Sequence, residues 1–165
     1  MASILKFNQA QHTNGTNSYS IGDDGLIKPK NLAFQVSALN IDTSYTASAY
    51  LKLTFPTVEL DTGGYWDSGN NRYTPQVAGW YMFGGVARLL ISSINQVIGL
   101  QLRKNGLTAT SNTIANQMQF SSDVITNGGY DIPTGIVQLN GSTDYMEITA
   151  SGDEAMTFSD ANNVR

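Results

Sequence analysis

The chain has 165 residues, a net charge of −4 and only 13 % charged side chains against 41 % hydrophobic ones. That length fits one domain with room for an extension. The lack of cysteine excludes disulfides, thiolate metal sites and cysteine nucleophiles, and an acidic balance without a Lys/Arg cluster argues against a nucleic-acid-binding face.

Residues 1–30 differ from the rest. Ile4, Leu5 and Phe7 form a short apolar patch that reads as a strand. The following QHTNGTNSYSIGDDG is polar and rich in Gly, Asn and Ser, the composition of a loop or connector. Such a segment serves as an attachment arm or is a frayed terminus. The opening MASILKFNQAQ lacks the apolar run of a signal peptide. The longest apolar stretch, LLISSINQVIGL at 89–100, is too short and too polar to cross a bilayer. The expectation is a soluble protein made in a cytoplasm, without membrane insertion, and able to leave the cell within a particle.

From Asn31 onward the pattern predicts strand after strand. Candidates are 33–37, 48–55, 71–73 and 80–88. Val97–Lys104 alternates Val97, Gly99, Gln101 and Arg103 against Ile98, Leu100 and Leu102. Asn105-Gly106 then signals a tight hairpin turn. Further strands are predicted at 117–121, 135–139, 145–149 and 155–158. The piece 89–98 fits one helical turn or a twisted strand with a bulge, and its strand-like flanks favour the strand. Many short strands joined by Gly-rich turns predict an all-β sandwich or jelly roll.

The most informative stretch runs from Phe55 to Phe83, FPTVELDTGGYWDSGNNRYTPQVAGWYMF. Tyr81 and Phe83 are alternate residues and share a strand face. The sequence of Phe55, Gly63-Gly64, Tyr65-Trp66-Asp67, Asn71-Arg72-Tyr73, Pro75, Gly79, Trp80-Tyr81 and Phe83 resembles the globular domain shared by complement C1q and the tumour-necrosis-factor superfamily. Leu102-Arg103-Lys104-Asn105-Gly106 is similar to that family's hairpin, and Gly135, Val137, Leu139, Asp144, Tyr145, Glu147 and Ile148 to its late strand pair. The resemblance covers roughly residues 31–160.

This resemblance implies a jelly-roll β-sandwich over residues 31–165, preceded by an extended N-terminal arm. It also implies a compact homotrimer in which some of Tyr65, Trp66, Tyr73, Trp80, Tyr81 and Phe83 lie at subunit contacts, although intramolecular core is the favoured reading for Tyr81 and Phe83 and an equal one for Trp66. Two positions depart from the pattern. Asn71 stands where the family has glycine, and asparagine tolerates the left-handed region. The family's last strand would begin where this chain has Asp160–Arg165, so the sheet would be completed by the segment around Leu5, by another chain, or not at all.

The first residues, Met1 to Phe7, are similar to the opening of structural proteins from tailed bacteriophages. Together these likenesses imply a non-enzymatic virion protein, a trimeric appendage or fibre head. It would bind other virion proteins through Ile4, Leu5 and Phe7 and contact a host surface glycan or protein through its loops. The alternatives are a free carbohydrate-binding adhesin of the same fold and, less favoured, a glycan hydrolase.

Trp66 with Asp67, or Tyr130 with Asp131, would stack on and hydrogen-bond to a sugar ring; the candidate loops are 61–71, 105–117 and 123–133. The only histidine, His12, lies in the polar loop without a partner acid, and Glu59 and Asp61 share a strand face without the opposed environments of a catalytic pair. No cofactor is expected. Calcium is the one ion with candidate oxygen donors, at Asp23-Asp24, Asp123, Asp131, Asp153-Glu154 and Asp160, and these lack EF-hand spacing.

Overall fold

The computed structural model describes residues 9–11, 17–21, 27–29, 32–37, 43–45, 50–91, 96–106, 113–121 and 125–158. The chain divides into two compact units, Met1–Ala33 and Phe34–Arg165. In the first, β1 (Gln9–Gln11), β2 (Asn17–Ile21) and β3 (Ile27–Pro29) form an antiparallel sheet in chain order. Its polar composition predicts a connector, yet the chain pairs with itself, with Tyr19 opposite both Ala10 and Pro29. Proline is tolerated there because β3 is an edge strand, with no second neighbour among the described residues. Ile4, Leu5, Phe7 and His12 lie outside the described residues.

In the second unit, β4 (Phe34–Ser37) pairs with β7 (Thr57–Asp61) in a two-stranded ribbon. Between them in sequence lie β5 (Thr43–Tyr45) and β6 (Leu51–Lys52). The short strands β8 (Trp66–Asp67) and β9 (Arg72–Tyr73) follow. Four long strands come next: β10 (Gly79–Ile91), β11 (Gln96–Lys104), β12 (Thr113–Ser121) and β13 (Ile125–Leu139). The last two are β14 (Met146–Gly152) and β15 (Met156–Phe158). No helix occurs among the described residues, which are all-β.

One sheet has the order β13-β10-β15-β5 and the other β12-β11-β14-β9-β8, with β6 also on β14. Both sheets supply each of two core clusters. Ala87, Tyr130 and Ile132 of the first sheet meet Ile98, Leu100 and Ala150 of the second. Phe83, Val137 and Leu139 meet Tyr73, Leu102 and Met146. The alternation along β11 places Ile98, Leu100 and Leu102 in this core as the sequence predicts. The opposite face of β11 is also covered, which alternation does not foretell. Gln101 and Arg103 are buried, Arg103 Nε donates to Gln101 Oε1 at 2.8 Å, and the guanidinium lies 5.0 Å from the Tyr50 ring centre.

Turn chemistry holds one end of the sheets. Asn105 and Gly106 have φ of 59° and 94°, the left-handed geometry their sequence predicts. Arg103 lies opposite Thr113, too far along the chain for a two-residue hairpin, so the two residues open a longer connection. The Asn105 side chain bridges to the neighbouring loop, donating to Asp144 Oδ1 at 2.8 Å and accepting from the Tyr145 N–H at 2.9 Å. Asn140 Oδ1 accepts from the N–H groups of Ser142, Thr143 and Asp144.

Gly141 has φ of 70°, and a Cβ there would run into the backbone of Val77 and Ala78. Both the left-handed φ and the collision with backbone oppose any side chain. Gly141→Ala is therefore expected to cost about 3 kcal/mol of unfolding free energy, read as a lower urea midpoint with an unchanged slope.

Asp144 also accepts from Lys104 Nζ at 2.8 Å and from the Asn140 N–H at 3.0 Å. The Asn105 and Lys104 hydrogen bonds hold its carboxyl below the ordinary 3.8. A depressed carboxyl contributes stability above its unfolded value and loses it as pH falls through the folded one. The urea midpoint is thus expected to drop below about pH 4, and Asp144→Asn to be less stable at pH 7 with a shallower acid drop.

Candidate subunit interface

From Trp80 to Ala87, β10 sorts its large side chains by parity. Tyr81, Phe83 and Ala87 face the core, Phe83 and Ala87 being buried. Trp80, Met82 and Val86 face outward and are 71 %, 72 % and 69 % exposed. A sheet residue sends its side chain to the face opposite that of its neighbour, so a core on the odd positions obliges the even ones to leave it. β13 lies antiparallel alongside, with Ile136 opposite Met82 and Gln138 opposite Trp80. Ile136 is 64 % exposed and joins the same patch.

The register slips between Phe83 and Gly85, where Pro133 and Thr134 together face Gly84. Proline fits at that bulge, and glycine fits opposite because a Cβ on Gly84 would lie 2.6 Å from Thr134 Oγ1. Thr134, Gln138 and Asp131 are exposed around the apolar residues. The result is a sheet face with an apolar middle and a polar rim, the anatomy of a protein–protein contact.

The other motif residues build the wall behind this face. Tyr73 is 2 % exposed and lies 4.1 Å centre to centre from Phe34 in a stacked pair. Phe83, Tyr65 and Tyr81 present tilted or edge-on rings to it at 5.7, 6.0 and 6.2 Å. Burial pushes the Tyr73 hydroxyl up to about 12. Trp66 is half-buried against Phe34 and Phe55. Pro75 is fully buried, Gly79 opens β10, and the Tyr81 hydroxyl donates to the Val77 carbonyl at 2.6 Å. Of the aromatic residues singled out in the sequence, Trp80 is the one that points outward, while Tyr73 and Phe83 are core.

The carboxylates around the motif shape turns. Asp61 accepts from the N–H groups of Gly63, Gly64 and Trp66. Asp67 accepts from both the N–H and the side-chain amide of Asn70, which hold its carboxyl below the ordinary value, and lies 3.4 Å from Arg72 Nε. The Arg72 guanidinium sits 4.6 Å from the centre of the Tyr145 ring. Asn71 has φ of 47°, the left-handed value expected of it, and its side chain accepts from the Phe55 N–H.

Glu59 accepts from Ser37 Oγ. Tyr130 lies in the middle of β13 and is 4 % exposed, so it belongs to the core and not to a loop beside exposed Asp131. The structure does not bring the Trp66–Asp67 and Tyr130–Asp131 pairs into one site: they lie in different sheets.

Among the described residues, no group of three or more His, Cys, Asp or Glu is placed to hold a metal ion. Asp23, Asp24, Asp123 and Asp160 lie outside those residues.

Sequence reasoning missed Met82, Val86 and Ile136. The first two were readable from the parity of Tyr81 and Phe83. Ile136 was not, because its place depends on the pairing of two distant strands. Compared with known proteins, the chain matches no protein-family model and no curated sequence.

Proposed function

We propose that this chain is a non-enzymatic structural protein of a virus particle, a homotrimeric appendage or fibre head built on a C1q/tumour-necrosis-factor-like jelly roll. The observation that carries the assembly is the exposed patch of Trp80, Met82, Val86 and Ile136 on one sheet face. Large apolar side chains in such a patch, rimmed by polar ones, favour burial against another subunit.

The strand order supports the jelly-roll path. β11 pairs with β12 while β10 pairs with β13, and β11 pairs with β14 while β10 pairs with β15. A jelly roll, in which an antiparallel ribbon is rolled up across two sheets, has nested pairings of this kind. The particle assignment rests on the opening residues Met1 to Phe7 and on the motif between Phe55 and Phe83. Attachment through Ile4, Leu5 and Phe7 to other virion proteins, and loop contact with a host surface glycan or protein, complete the reading.

Quantitative mass spectrometry of purified particles tests it. Recovery of this chain in a copy number divisible by three supports the reading. Its confinement to the soluble fraction of infected cells contradicts it.

A further inference from the structure

A ring of three needs two different surfaces on each subunit, because the face one copy offers meets another face of the next. Trp80, Met82, Val86 and Ile136 supply one, on the outer side of the first sheet. The other large apolar side chains exposed among the described residues are Tyr50, Val58, Leu60, Val77 and Met118. Their directions separate them. Met118 lies opposite Gly99, on the side of β11 away from Ile98 and Leu100, and Tyr50 lies over Arg103 on that same side. Both look outward from the second sheet, away from Trp80. Surfaces on opposite sides of a subunit stack copies into an open line and do not close a ring of three. Val77 offers one side chain beside the Gly141 turn, at one end of the sheets.

Val58 and Leu60 lie on an adjacent side. Phe34, on the partner strand β4, stacks on Tyr73 of β9 with ring centres 4.1 Å apart and meets Phe83 of β10 at 5.7 Å. The β4–β7 ribbon therefore runs along the side of the sandwich between those two strands. Phe34 is paired with Asp61, so these two share the inward face of the ribbon. Leu60 and Val58 have the other parity and turn outward. The register slips between Gln35 and Val36, which leaves Glu59 as the extra residue of a bulge. Val58, Glu59 and Leu60 are accordingly exposed in succession.

We infer that the outer face of this ribbon, Val58 and Leu60, receives the Trp80, Met82, Val86 and Ile136 face of a second copy of the chain. Each subunit then uses one surface toward each neighbour. The ribbon has the same anatomy as the sheet face it meets: Glu59 and Gln35, both exposed, form a polar rim beside its apolar pair. The inference rests on the threefold assembly proposed above and adds the surface that completes it.

Leu60→Asp, measured by light scattering beside the parent and Trp80→Asp, tests it. Leu60 is half exposed within one subunit, so the far-ultraviolet circular dichroism is expected to be unchanged. Val58→Asp, on the same face, takes its place should that spectrum change. The expected mass is one subunit at concentrations where the parent forms three, each contact being weakened at least about 30-fold. An equal mixture of Leu60→Asp and Trp80→Asp, at the highest soluble concentration, is expected to give a two-subunit mass. Each variant there keeps the surface that the other has lost. A Leu60→Asp protein that remains a trimer overturns the inference and leaves the threefold assembly standing. A mixture that stays at one subunit overturns it as well, since both substitutions would then fall on one self-matching surface. A one-subunit mass for the parent overturns the assembly reading together with it.

Discussion

Replacing Tyr73 with alanine is expected to lower the unfolding free energy by about 4 kcal/mol, the largest single-residue effect in the second unit. Tyr73 sits on β9 opposite Trp66 of β8 and Met146 of β14, so it joins the motif to the sheet. Its ring touches four other aromatic rings, on three other segments, and it is almost fully buried. Truncation removes the transfer energy of a large side chain and leaves a cavity walled by the rings packed around it. The aromatic pair geometry adds a further loss of about 0.5–1.5 kcal/mol per favourable contact. For a domain of this size a loss of 4 kcal/mol lowers the melting temperature by about 8–16 °C. Calorimetry of Tyr73→Ala beside Tyr73→Phe checks it: the phenylalanine variant keeps the ring stack and should retain most of the stability.

Trp80→Asp is expected to do the reverse, sparing the fold and abolishing association. Trp80 is 71 % exposed within one subunit, so its loss opens no cavity there. In the proposed trimer the same residue would lie within a desolvated contact, where a tryptophan commonly contributes about 2 kcal/mol or more per interface. Aspartate removes that contribution and adds a carboxylate whose desolvation is strongly unfavourable. Three equivalent contacts are lost at once in a ring of three, and a contribution of that size corresponds to at least about a 30-fold weakening at each. Light scattering should give a single-subunit mass for the variant at concentrations where the parent is associated, with unchanged far-ultraviolet circular dichroism. An associated Trp80→Asp protein would move the interface to another surface.

The all-β class was legible because the signals were local. The alternation at Val97–Lys104 and the aromatic alternation at Trp80–Phe83 each fix a strand and its inner face without knowledge of any partner. Asn71 and Asn105 were legible for the same reason, since a left-handed residue is a property of its own backbone.

What escaped was non-local. β13 extends from Ile125 to Leu139, while the sequence shows only its end. Asn127, Gly128, Gly129 and Pro133 suggest a loop, and the long partner β10 overrides them. Glu59 and Asp61 were read on one strand face, yet β7 was not among the predicted strands because they lend it a polar look; they serve Ser37 and the Gly63–Trp66 turn. The burial of Arg103, at an outward position of β11, arises from cover by Tyr50, distant in sequence. Of the candidate interface, Trp80 was readable as a residue type and Met82 and Val86 as parity. Which aromatic residues belong to core or to contact depends on Phe34, which lies far from the motif and takes Tyr73 and Trp66 inward.

Sedimentation equilibrium of the full-length chain at micromolar concentration bears most directly on whether the Trp80, Met82, Val86 and Ile136 face joins three subunits. The expected mass is three times 17.8 kDa, falling to one subunit on Trp80→Asp. A mass of one subunit for the parent protein across that range would contradict it.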